Sequence, residues 1–148
     1  MSDEKLKLLK ILLPLFAVLL VACQNVEYYT FDNKEEAEQK IGEFKTPVMP
    51  RGYTINKITY KNDGFTHPIT KVFYERGSHS ISFMIASSRF DQDPSKKIKI
   101  DGMTDTVWIT KDKEYILKWR KTNKQSYKYL FTKNIDDKEW FVSVAKNF

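Results

Sequence analysis

The chain is expected to fold as α+β, a curved antiparallel sheet of six to seven strands with an N-terminal and a C-terminal helix packed on it, and three observations predict this. Apolar residues recur at every second position through much of residues 53–132, the period of half-buried strands. Two segments of helical period flank that run. Each opens on an acidic residue with a glutamate three positions later, Asp32 with Glu35 and Asp136 with Glu139, the pattern of a capping box. Strands gathered between helices, rather than alternating with them, put the helices on one face of the sheet.

The first helix is predicted from Asp32, with Ala37, Ile41 and Phe44 as its buried stripe and Gly42 weakening its end. Thr46-Pro47-Val48-Met49-Pro50-Arg51-Gly52 follows as a proline-bounded connector. At Tyr53 the period changes to two. Tyr53 and Ile55, then Ile58 and Tyr60 after the interruption at Asn56-Lys57, predict a strand that ends at the turn Asn62-Asp63-Gly64. Ile69 to Tyr74 is the next strand, closed by Arg76-Gly77-Ser78. Ile81 to Ala86 is almost continuously apolar, which predicts a central position.

Asp91-Gln92-Asp93-Pro94 breaks the chain, and a short strand is expected near Ile98 and Ile100 before the turn at Asp101-Gly102. Three more strands are expected at Thr106–Thr110, Glu114–Lys121 and Tyr127–Thr132. The final helix gathers Trp140, Phe141, Val144, Ala145 and Phe148 on one face, which predicts that this face covers the sheet.

The start of the chain carries a different signal. Lys5, Lys7 and Lys10 precede an 11-residue apolar run, Ile11 to Val21, which has the layout of a secretory leader and is shorter than the roughly 20 residues needed to span a bilayer. The run ends Leu20-Val21-Ala22-Cys23, and Cys23 is the only cysteine in the chain. Leu-Val-Ala-Cys resembles the lipobox of bacterial lipoproteins. The resemblance implies cleavage between Ala22 and Cys23 and a lipid anchor on Cys23. Long acyl chains, at about 0.8 kcal/mol per buried methylene, would make that anchor effectively permanent. On this reading residues 1–22 are a signal peptide, 23–29 a lipid-anchored tether, and 30–148 one α+β domain on the extracytoplasmic face of the cell membrane.

Without its leader the chain has 126 residues, the size of one domain with one core, and 22 basic against 17 acidic residues leave a net charge of +5. The lysines are interleaved with Asp and Glu, with no block of five like charges. Nucleic acid is therefore not an expected partner, whereas an anionic lipid surface or wall polymer suits a mildly basic exported domain. The absence of cysteine after Cys23 excludes intramolecular disulfides, zinc ribbons and cysteine nucleophiles in the body.

Pro50-Arg51-Gly52-Tyr53 before a strand, Val72-Phe73-Tyr74, the stretch from Trp119 to Phe131 and the closing Val144-Ala145-Lys146-Asn147-Phe148 together resemble a domain of Gram-positive exported lipoproteins and anti-sigma-factor-like membrane proteins. That family is similar in architecture to the RseB and LolA lipoprotein-carrier fold, a half-open antiparallel sheet with helices over its concave side. The resemblance covers roughly residues 30–148. It implies a binding or interaction module for an apolar ligand (acyl chain or peptide) or an envelope protein partner, and it supplies no catalytic residues. An accessory factor of envelope or sporulation processes with no small ligand is the alternative, and a cell-wall hydrolase a weaker one.

Catalytic and metal motifs are sparse. His67 and His79 sit beside different turns, and metal or nucleophilic chemistry needs several such groups converging. Asp91 and Asp93 lack the glycine and distal glutamate of a calcium loop, and Asp136 reads as a helix cap. No nucleophile elbow, phosphate loop or dinucleotide fingerprint occurs, so no cofactor is expected. The aromatic residues read first as core. The sharper expectation is an apolar cleft between sheet and terminal helix, lined by Trp108, Trp119, Phe131 and Trp140.

Overall fold

The structure is a computed structural model that describes residues 26–64, 66, 68–87, 96–133, 135 and 137–148. The expected α+β class is what the chain adopts. Strands β1 (Glu27–Phe31), β2 (Thr54–Asn62), β3 (Ile69–Arg76), β4 (His79–Ala86), β5 (Lys96–Lys97), β6 (Met103–Lys111), β7 (Glu114–Lys121) and β8 (Tyr127–Lys133) form one open antiparallel sheet. Its order is β1-β2-β3-β4-β8-β7-β6-β5, two meanders joined where β4 pairs with β8. The apolar strand expected to be central is the fourth of eight. Helices α1 (Lys34–Ile41) and α2 (Lys138–Asn147) complete the fold.

Both helices lie on the same face. Ala37 of α1 and Phe141, Val144 and Ala145 of α2 share one core with Ile58, Val72, Phe83, Leu117, Trp119 and Leu130. Alternation sends the neighbouring residues of the same strands to the other side, where Ala86, Val107, Ile109, Ile116 and Tyr129 form a second, smaller cluster. Basic side chains cover part of it: Lys71 lies over Phe73 and Phe131, and Lys118 and Arg120 over Tyr127.

The interruption at Asn56-Lys57 is a β-bulge, where the register with β3 shifts between Ile55 and Lys57. A second bulge shifts β6 against β7 between Thr104 and Val107, and Asp105 within it takes a φ of 52°. Gly77, with φ 58°, is the first central residue of the two-residue hairpin β3–β4, where a II′ turn requires positive φ.

Strands β3, β4 and β6 each run two or three residues past their expected ends, and four further boundaries differ from expectation. Residues 27–29, assigned to the tether, pair with β2 from Glu27 opposite Asn62 onward, because Tyr29 and Phe31 alternate inward onto the core. Asn33 rather than Asp32 caps α1. Its backbone is extended, so Oδ1 accepts from the Glu36 amide at 2.9 Å and the helix starts one residue later. Asp137 caps α2 in the same way, its Oδ1 accepting from the Trp140 amide at 2.9 Å, while Asp136 lies outside the described residues. The strand expected near Ile98 and Ile100 falls instead at Lys96–Lys97. Ile100 is buried, and its carbonyl accepts from the Met103 amide at 3.2 Å, which closes the Asp101-Gly102 turn.

Candidate functional site

The four aromatic residues expected to line one cleft do not meet. Leu130 and Phe131 are successive residues of β8. Leu130 pairs with Leu117 and Phe83 on the helix-covered side, so Phe131 projects to the other side, where it stacks on Tyr129 with ring centroids 5.9 Å apart. Trp108 and Trp119 do face the helices, but as filled core. Trp119 is fully buried against Phe83 (6.2 Å) and meets Phe148 edge-on at 6.3 Å, and Trp108 meets Phe141 edge-on at 5.2 Å. Phe131 borders an open cavity of about 300 Å³ on that other side, and Trp140 alone of the four borders open space beside the helices.

That space is a groove between α2 and the connector that follows α1. Gly42, with φ 84°, ends α1, and its amide donates to the Glu38 carbonyl at 3.0 Å. The connector then lays Pro47 into the protein and leaves Val48 standing 90% exposed. It returns to the sheet through a turn in which the Tyr53 amide donates to the Pro50 carbonyl at 3.3 Å. Arg76 fastens this turn: its guanidinium lies over the Tyr53 ring at 4.7 Å, and Nη1 donates to the Arg51 carbonyl at 3.4 Å. Its side chain also passes so close to Gly52 (φ 90°) that a Cβ there would stand 3.1 Å from it.

Trp140 borders two open cavities in this groove. One, of about 490 Å³, is bounded by Lys45, Pro47 and Val48 of the connector and by Trp140, Val144 and Phe148 on the helix side. The other, of about 500 Å³, is bounded by Pro50, Tyr53, Arg76, His79, Ile135 and Trp140. Only the first is one-sided in charge. Lys34 and Lys45 border the first, which has no acidic residue in its wall, and Arg76 borders the second. Asp137, the carboxylate in the second wall, is committed to capping α2. Lys34 is shared with Glu38 at 3.1 Å. Beneath the connector, burial pushes the Tyr74 hydroxyl above its ordinary value, with the Thr46 side chain acting in the opposite sense.

Comparison of the chain with protein-family models, curated proteins and solved structures finds no match. Function is therefore argued from the site.

Among the other residues singled out in the sequence, His79 is exposed at the rim of the second cavity. Ala22, Cys23, His67, Asp91 and Asp93 lie outside the described residues. Among the described residues no group of three or more His, Cys, Asp or Glu side chains could hold a metal, and no helix is long and apolar enough to cross a membrane. Sequence reasoning missed Val48 and Arg76. The two prolines bracketing the connector were the available signal, since a chain fixed at two φ angles can hold an apolar side chain out in water.

Proposed function

We propose that the protein is a membrane-anchored extracytoplasmic binding module, held by lipid at Cys23, whose groove takes an extended segment of a protein partner. The observation that carries this reading is Trp140, a large aromatic residue left partly exposed between two cavities of about 490 and 500 Å³ and facing the exposed Val48 across the first. Volumes of that size hold side chains, and both cavities are open and of mixed polarity. An acyl chain would need a continuous apolar cleft between sheet and helix, and Trp108, Trp119 and Phe148 fill that place. The basic rim of the first cavity favours a segment that joins bulky apolar side chains to carboxylates.

The test is fluorescence anisotropy with a panel of labelled peptides that combine leucine or phenylalanine with acidic residues, and a matched basic panel. Members of the acidic panel should bind saturably. Trp140→Ala should weaken them about tenfold or more, as loss of an aromatic anchor does. Lys45→Glu should weaken them also. A fully folded protein that binds no acidic peptide, or binds equally well without Trp140, overturns the proposal.

A further inference from the structure

Three described large apolar side chains stand exposed. Val48 belongs to the groove; Val26 and Tyr28, 56% and 63% exposed, lie at the start of β1. Four Cα steps separate Cys23 from Glu27, a reach of at most about 14 Å even when fully extended. A lipid on Cys23 would therefore hold this end of the sheet close to the headgroups, where a tyrosine places its ring in the interface and its hydroxyl in water.

Register shows what else lies at that end. Glu27 pairs with Asn62, Ile69 with Ala86, Ala86 with Tyr127 and Met103 with Lys121, so the turn Lys121–Lys124 and the start of β8 share the end of the sheet where β1 begins. The turn is tight, the Lys124 amide donating to the Lys121 carbonyl at 3.1 Å. It brings together Lys121, Lys124 and Lys128. Lys128 is half-buried; its Nζ donates to the Ser126 carbonyl at 3.2 Å and to the Ser126 hydroxyl. Burial, then Lys121, then Lys124 lower its pKa, so the three ammonium groups repel one another.

The carboxylates nearby are engaged elsewhere. Asp63 accepts from the amide and hydroxyl of Thr66, both at 2.7 Å, and Asp105 pairs with Arg120 at 2.7 Å. Glu27 accepts from Asn62 at 3.4 Å. Asp101 is the remaining described acidic group at this end. A basic cluster whose described acidic neighbours, Asp101 apart, are engaged elsewhere, on the same sheet end as two exposed apolar side chains four to five strands (about 20–24 Å) away, has the chemistry of a flat anionic lipid surface.

We infer that the sheet end carrying Val26, Tyr28, Lys121, Lys124 and Lys128 rests on anionic headgroups, which turns the Arg76–His79 hairpin and the adjoining groove away from the membrane. This rests on the lipid anchor at Cys23. The inference fixes an orientation, which an anchor alone does not: a tether permits tumbling, whereas headgroup contact with the cluster selects one pose and leaves the groove open to a partner.

The experiment uses the full, lipidated chain in vesicles of phosphatidylcholine alone or mixed with phosphatidylglycerol. A fluorophore is attached at Gln125→Cys in the basic turn or at Ser78→Cys in the opposite hairpin, and its collisional quenching by acrylamide is read. On the mixed vesicles the Gln125→Cys label should be quenched several-fold more slowly than on neutral ones, with the Ser78→Cys label unchanged. Lys121→Glu with Lys124→Glu, both at exposed positions, should abolish the difference. Flotation with both vesicle types but equal quenching at Gln125→Cys, or protection of Ser78→Cys instead, overturns the orientation alone. Failure to float with either vesicle type overturns the anchor, and the orientation with it.

Discussion

Asp112 and Lys113 turn the chain from β6 into β7 with φ of 50° and 62°, a two-residue hairpin in which both central residues are left-handed although neither is glycine. Each such residue costs about 1–2 kcal/mol relative to its relaxed conformation. Lys113→Gly would make the Asp-Gly pair that this turn favours, and since Lys113 is exposed no packing is lost. The variant should be more stable by about 0.5–1 kcal/mol after the extra entropy of glycine is counted, read as a higher denaturation midpoint with an unchanged slope. A lower midpoint would refute the strain. Tyr74 sets a second expectation. Burial raises its native pKa above the unfolded value near 10, so its contribution to stability is complete below about pH 10 and falls away as pH rises through the native value. Lys71 and Lys128 act in the window below: burial lowers their native pKa values, so stability rises with pH between those values and about 10.5. Alkaline denaturation should therefore steepen beyond pH 10, and Tyr74→Phe should flatten that limb while leaving the rise before it intact.

At the scale of elements, the C-terminal helix divides its labour between adjacent residues. Phe141 is fully buried against Trp108, and Trp140 stands at the groove. Phe141→Ala should cost about 3–5 kcal/mol, a core truncation, whereas Trp140→Ala should cost less, about 2–3 kcal/mol, because it is only partly buried and part of its ring is already in water. Equal losses for the two would return Trp140 to the core. The sequence placed both on one apolar stripe, since helical periodicity reports a face and cannot say where along its width the sheet ends. Strands were read more surely. Glu114–Lys121 matches to the residue, because Tyr115, Leu117 and Trp119 alternate without a break and a one-residue slip would take all three off the helix-covered face. The cap of α1 was displaced by one position because Asp32 and Asn33 are both good capping residues and only the backbone entering from β1 chooses between them. The aromatic cleft failed for a topological reason. Membership of a face depends on register with a partner strand, and nothing local to Phe131 says that Leu117 lies opposite Leu130. The groove was legible only as two prolines.

The whole molecule is a sheet with one face thatched by helices and two edges of unlike finish. β1 is short and Glu27 begins it; β5 pairs over only two residues, so most of β6 has no strand on that side among the described residues. The seam between β4 and β8 has a consequence for the order of assembly. Within each meander every strand pairs with a close neighbour in the chain, but Thr132 reaches back 52 residues to donate to the Ser80 carbonyl at 3.0 Å. A chain synthesised from its amino terminus delivers β1 to β4 well before β8. During that interval β4, the most apolar strand, presents a row of unpaired backbone groups, and loop-closure entropy sets how long it waits. Pulse-labelling hydrogen exchange during refolding should protect the β2–β3 hairpin first and the β4 amides that face β8 only when β8 itself becomes protected. Protection of those amides ahead of β8 would refute this order. That gap is the moment of greatest exposure to misassembly, when two chains could each offer the other the edge that their own last strands have not yet reached.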